Sequence, residues 1–175
     1  MDQLELESVE KFLLKDSSFQ ENATIHLYNT TKVIIRRSSF LSNTRASPQH
    51  SGLTSDEITE CCSSGALYVY NSSLQVHQSV FSDNIGYVVG AILGEDSNIT
   101  IEDSTFMNNY GYRHVYRSPS NDSSGALYLR NGSLLLVNGN FSGNVAMNER
   151  WSSAGQWFEI YRNLQLQLDQ KQSIF

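Results

Sequence analysis

The chain has 175 residues, 12 Lys and Arg against 18 Asp and Glu, and a formal net charge of -6, which allows one domain with a sizeable core and not two. An acidic chain without a basic footprint argues against binding nucleic acid through its phosphates and against resting on an anionic membrane surface. No apolar run approaches the roughly 18 to 20 residues that span a bilayer, so no membrane insertion is expected of this segment. Cofactors and metals are not expected either, because the two cysteines, Cys61 and Cys62, are adjacent and fit neither a metal-ligand spacing nor a disulfide framework.

From the start, Met1 to Glu10 is acidic and already alternating, without the basic head and apolar middle of a secretory signal. A repeat follows. Five segments share the pattern small-x-Phe-x-x-Asn: Ser17 to Asn22 around Phe19, Ser38 to Asn43 around Phe40, Ser79 to Asn84 around Phe81, Ser104 to Asn109 around Phe106, and Gly139 to Asn144 around Phe141. An aliphatic residue precedes each Phe by five positions (Leu14, Ile35, Val76, Ile101, Leu136), and another apolar one stands two before that (Phe12, Val33, Leu74, Ile99, Leu134). This is strand alternation. Farther upstream, Gly65-Ala66-Leu67, Gly90-Ala91-Ile92 and Gly125-Ala126-Leu127 each begin sixteen positions before their Phe.

The Phe positions advance by 21, 41, 25 and 35 residues. Only the first and third steps fit one coil, so residues 44–64 and 110–124, rich in loop-forming residues, are expected to be insertions. Units of little more than twenty residues with no helical period cannot bury an apolar face alone and must stack on their neighbours. The expected fold is therefore all-β, a right-handed parallel β-helix of about five to six coils with two inserted loops. Stacking at about 4.8 Å sets each Phe on the next Phe and each Asn on the next Asn. The ladder comprises Phe19, Phe40, Phe81, Phe106 and Phe141 with Asn22, Asn43, Asn84, Asn109 and Asn144. Residues 145–175 depart from the pattern, although Leu164, Leu166 and Leu168 still alternate, and form an irregular last coil or cap. Neither end carries an amphipathic capping helix, so a fragment of a longer solenoid is expected, its edges meeting missing coils or another chain.

These repeats resemble those of the chlamydial polymorphic outer membrane proteins, which pair a Gly-Gly-Ala-Ile-like strand with Phe-x-x-Asn. The resemblance covers residues 3 to 144. It implies a surface or secreted β-helix of the pectin-lyase-like type and an adhesin-like role. In this chain Ser64, Val89 and Ser124 replace the first Gly of the pair, and adhesion is not carried over to any particular residue.

Seven glycosylation sequons occur, at Asn22, Asn29, Asn71, Asn98, Asn121, Asn131 and Asn140, against about three expected from composition. Asn29, Asn71, Asn98 and Asn131 are expected at one turn of successive coils, and Asn121 in a loop. The best candidates for acceptors are these five. The plainer reading is that Asn-Ser, Asn-Thr and Asn-Gly are good turn sequences.

Lys15, Arg36, His77, Glu102 and Val137 should form one outward stack, and Asp16, Arg37, Gln78, Asp103 and Asn138 the next. Asp16 and Asp103 would lie about 14 Å apart, beyond a glycosidase carboxylate pair. The stacks read as a solvated mixed-charge face, with His77 a surface histidine and no catalytic residue assigned. Tyr68 and Tyr128 are expected on an outward face, and Tyr110, Tyr112, Arg113 and Tyr116 in the second insertion, together a recognition surface. The plainer alternative is strand tyrosines and a packed loop. The expected function is a non-enzymatic extracellular or cell-surface module that binds a protein or glycan. The alternatives are a degenerate pectin-lyase-like carbohydrate-active enzyme and a structural spacer.

Overall fold

The computed structural model describes residues 3–21, 23–44, 64–113, 123–148 and 165–168. Every named strand among them pairs in parallel, and the strands stack into a right-handed solenoid of five coils plus one further strand. The first sheet runs Gln3–Glu7, Thr24–Tyr28, Leu67–Tyr70, Ile92–Glu95, Leu127–Arg130. The second runs Lys11–Lys15, Lys32–Arg36, Ser73–His77, Asn98–Glu102, Ser133–Val137, Gln165–Leu168. The third, made of the Phe segments, runs Ser18–Gln20, Ser39–Leu41, Val80–Ser82, Thr105–Met107, Asn140–Ser142.

A fourth sheet was not expected. It joins Ile85–Gly86, Tyr110–Arg113 and Val145–Asn148. The second insertion therefore begins after Arg113 rather than at Tyr110, and the regular coil continues through Asn148 rather than ending at Asn144. The glycines set this geometry by close approach. A Cβ on Gly111 would collide with the carbonyl oxygen of Ser124, and one on Gly90 with that of Gly125. Thr44 bridges to Ile85, and Val89 bridges to Ser64 on one side and Ser124 on the other, so both insertions leave and rejoin the coil at paired positions. In the tail, Leu166 and Leu168 register with Leu134 and Leu136, which continues the second sheet. Cys61 and Cys62 lie outside the described residues.

The interior is a set of columns. Phe40, Phe81 and Phe106 are fully buried, and the five Phe rings stack with centroids 5.2, 4.7, 4.7 and 4.8 Å apart. Beside them runs the Asn ladder. The Asn84 side-chain oxygen accepts from the Asn43 backbone N–H at 3.1 Å and from its Nδ2 at 3.0 Å, while Asn84 Nδ2 donates to the Phe40 carbonyl at 3.0 Å. Asn109 and Asn144 repeat these bonds. Asn22 lies outside the described residues. Two hydroxyl ladders run in the same sense: Ser38 N–H donates to Ser79 Oγ and Ser79 N–H to Ser104 Oγ, and Thr30 N–H donates to Ser72 Oγ and Ser72 N–H to Ser97 Oγ.

Three corners per coil turn through the left-handed region. The first column is Ser8, Asn29, Asn71, Asp96 and Asn131, and the second Asp16, Arg37, Gln78, Asp103 and Asn138. The third is Glu21, Ser42, Asp83, Asn108 and Gly143. A non-Gly residue there costs about 1 to 2 kcal/mol, least for Asn and Asp. Gln78, exposed with φ 48°, has no such compensation. Gln78→Gly is therefore expected to stabilise the chain by up to about 1 kcal/mol in urea unfolding, after the extra chain entropy of Gly is subtracted. A loss of stability would contradict the corner geometry.

Candidate recognition surfaces

Outside the core, side chains of neighbouring coils meet in register. On the first sheet, Glu5, His26, Tyr68, Leu93 and Tyr128 form one outward column, and Glu7, Tyr28, Tyr70, Glu95 and Arg130 the next. Tyr68 does face away from the Phe column, but it is not a contact surface. It is 2% exposed and belongs to a second apolar cluster with Val88, Val89 and Leu93, against which Tyr28, Tyr87 and Tyr128 pack. Its hydroxyl donates to Glu95 Oε2 at 2.9 Å, and Arg130 Nη2 holds Glu95 Oε1 at 2.7 Å. Tyr68 also meets His26 and Tyr28 edge-on. The buried carboxylate of Glu95 is thus held by a phenol and a guanidinium, an arrangement that fixes the outer layer in place. Alternation distinguishes inside from outside a solenoid coil and says nothing of what covers the outside.

The other aromatic candidates separate. Tyr110 and Tyr112 are strand residues of the fourth sheet, both half-buried, and Arg113 ends that strand. Tyr87 lies 6.0 Å from Tyr112 and Tyr112 lies 6.1 Å from Tyr110, centroid to centroid. Three tyrosines on adjacent coils therefore form one partly accessible patch, of which Tyr87 was not foreseen. Burial, with neighbouring Tyr112, raises the pKa of Tyr110, so its hydroxyl remains a neutral donor and acceptor at ordinary pH. Tyr116 lies outside the described residues.

Of the sequon asparagines, Asn29, Asn71 and Asn131 occupy the first corner with positive φ and exposed side chains. Asn71 Nδ2 donates to Asn29 Oδ1 at 2.8 Å. Asn98 does not belong to that column. Asp96 takes the corner position, while Asn98 begins a second-sheet strand and accepts from the Ser133 hydroxyl at 2.6 Å. The corner supplies its own reason for the Asn, which tolerates positive φ, but not for the sequon hydroxyls: the ladder residues Thr30 and Ser72 lie one position past the Asn, whereas Thr31 and Ser73 complete the triplets. Asn121 lies outside the described residues.

The charged stacks have the expected register, with two corrections. The second of them is the second corner rather than a strand face. There Arg37 binds Asp16 through two hydrogen bonds, 2.6 and 2.9 Å, which holds the Asp16 carboxyl below its usual range. His77 is not a lone surface histidine: its Nδ1 lies 2.9 Å from Glu102 Oε2, and its Nε2 is enclosed without a hydrogen-bond partner. Among the described residues no three His, Cys, Asp or Glu converge to hold a metal ion.

A family model described as a right-handed beta helix region matches residues 1–146. No curated protein and no solved structure matches the chain. With the four parallel sheets and their unbroken register, that match covers most of the sequence, and the chain belongs to the right-handed β-helix family.

Proposed function

We propose that this β-helix is a non-enzymatic extracellular or cell-surface module that recognises a protein or glycan through the tyrosines of its fourth sheet. The observation that carries this reading is the patch of Tyr87, Tyr110 and Tyr112 on adjacent coils. Tyrosine offers contact area and hydrogen bonds at low entropic cost, and Tyr110 and Tyr112, carried on a strand, are better ordered than residues on a loop. The exposed corner column of Asn29, Asn71 and Asn131 is the natural edge for N-linked glycans, and the resemblance to chlamydial adhesin repeats supports the same setting.

The test is a screen of glycans and extracellular proteins against the whole chain made through a eukaryotic secretory route, with glycopeptide mass spectrometry. Tyr112→Ala is expected to weaken binding by about tenfold or more, the effect of one contact residue at a recognition surface. A ligand bound equally by the variant, or no ligand at all, would contradict the role of this patch.

A further inference from the structure

The second sheet turns one face to the core and the other outward, and on its first two coils the outward face is cationic. Lys11 stands in register with Lys32, and Lys15 with Arg36, while Arg37 follows at the corner. All five are exposed. Five of the chain's 12 Lys and Arg thus crowd onto two adjacent coils of an acidic protein, in pairs that oppose like charge to like charge about 4.8 Å apart. Such pairs destabilise a sheet, so nothing in the folding of the coils calls for them.

The neighbouring acids neutralise the patch only in part. Asp16 is taken by Arg37 and lies 3.8 Å from Lys15, and Glu10 precedes Lys11 in the chain. Among the described residues no carboxylate pairs with Lys11, Lys32 or Arg36. Between the two cation columns lie Leu13, 54% exposed, and Ile34, which is 8% exposed, so the accessible apolar contact is Leu13. Each of the two strands therefore reads cation, apolar, cation along its outward side.

We infer that this face binds a linear acidic polysaccharide, one carrying sulfate or carboxylate groups along its length. Cations at both ends of each strand meet the spaced anionic groups, and the exposed Leu13 between them takes the C–H face of a sugar ring. Single-stranded nucleic acid is the poorer fit, because it is held by aromatic stacking platforms and the outward residues of these two strands include no aromatic. An anionic bilayer is a poorer one still, since the net charge of -6 opposes approach to an extended negative surface. The inference concerns a different face from the tyrosine patch and stands without it.

The test uses the whole chain and three probes: a size-defined heparin oligosaccharide, an uncharged oligosaccharide of the same length, and single-stranded DNA of matched charge. The heparin oligosaccharide is expected to bind at low ionic strength and to weaken steeply as salt is raised, while the uncharged one does not bind. The triple substitution K11Q/K32Q/R36Q should weaken binding by about tenfold or more, with an unchanged or raised Tm because like-charge pairs are removed. Leu13→Asp offers an independent variant at an exposed position and should weaken binding in the same direction. Tyr112→Ala should leave heparin binding intact, which separates this site from the proposed tyrosine surface. Absence of heparin binding at low salt, a triple variant that binds like the parent, or DNA bound as tightly as the oligosaccharide would each overturn the inference.

Discussion

Replacing Phe81 with Ala is expected to cost about 3 to 5 kcal/mol of unfolding free energy. The ring is fully buried and stacked on both faces, 4.7 Å from Phe40 and 4.7 Å from Phe106. Its removal takes the transfer energy of the side chain and leaves a cavity whose walls are held by the two flanking coils. A parallel stack cannot close up around the gap without shifting backbone that is hydrogen-bonded rung to rung. Phe106→Ala should behave alike, whereas the partly buried Phe19, with one stacked ring among the described residues, should be milder. Urea unfolding measures all three. A loss under about 1 kcal/mol at both Phe81 and Phe106 would contradict the stack.

Asn84→Ala is expected to cost about 3 to 6 kcal/mol, although it deletes few atoms. The Asn84 amide accepts from Asn43 N–H and Nδ2 and donates to the Phe40 carbonyl and to Asn109 Oδ1. All three of these residues are buried. Alanine leaves groups on each without these partners, at about 1 to 3 kcal/mol for each one left unsatisfied. Asn84→Asp should also destabilise, because a carboxylate cannot donate to the two facing oxygens. The positive-φ residue of this corner is Asp83 rather than Asn84. A turn-forming role would thus predict a mild effect at Asn84 and a ladder role a large one.

What the sequence disclosed was what recurs at fixed offset. Phe, the aliphatic positions before it and Asn each fill a column whose environment is the same on every coil, so selection by packing repeats the residue. The corners were hidden for the opposite reason. Arg37 and Gln78 share a conformation with Asp16, Asp103 and Asn138, imposed by stacking: Arg37 N–H donates to the His77 carbonyl and Gln78 N–H to that of Glu102. Residue identity there is nearly free. One hydroxyl ladder left a signal in Ser17, Ser38, Ser79 and Ser104, which recur two positions before Phe, but the pattern there showed only a small residue. The fourth sheet was not, since Ile85–Gly86 is too short to show a period and Tyr110–Arg113 runs straight into an insertion.

The candidate sites were less legible than the fold, because they depend on what lies beside a column rather than within it. Asn98 joined the sequon set by its triplet, yet register puts it two residues past the corner that Asp96 fills. Tyr68 pointed outward by alternation, and its burial comes from Val88 and Val89 on the segment that links two sheets. The basic face was masked by net charge, which averages five clustered cations against acids placed elsewhere.

The central claim is the register between coils separated by an insertion, and a cross-link tests it most directly. Ser39 and Val80 are Cα partners on adjacent strands of the third sheet, on its outward side and 41 residues apart in sequence. In a background with Cys61 and Cys62 changed to Ser, the double variant S39C/V80C is expected to form an intramolecular disulfide readily. Paired rungs lie about 4.8 Å apart, within the Cα range a disulfide accepts. The off-register control L41C/V80C, displaced two residues along the strand to roughly 8 Å, should not form one. Efficient closure of the first pair alone is the predicted result. Closure of the control in its place would contradict the register on which every column described above depends.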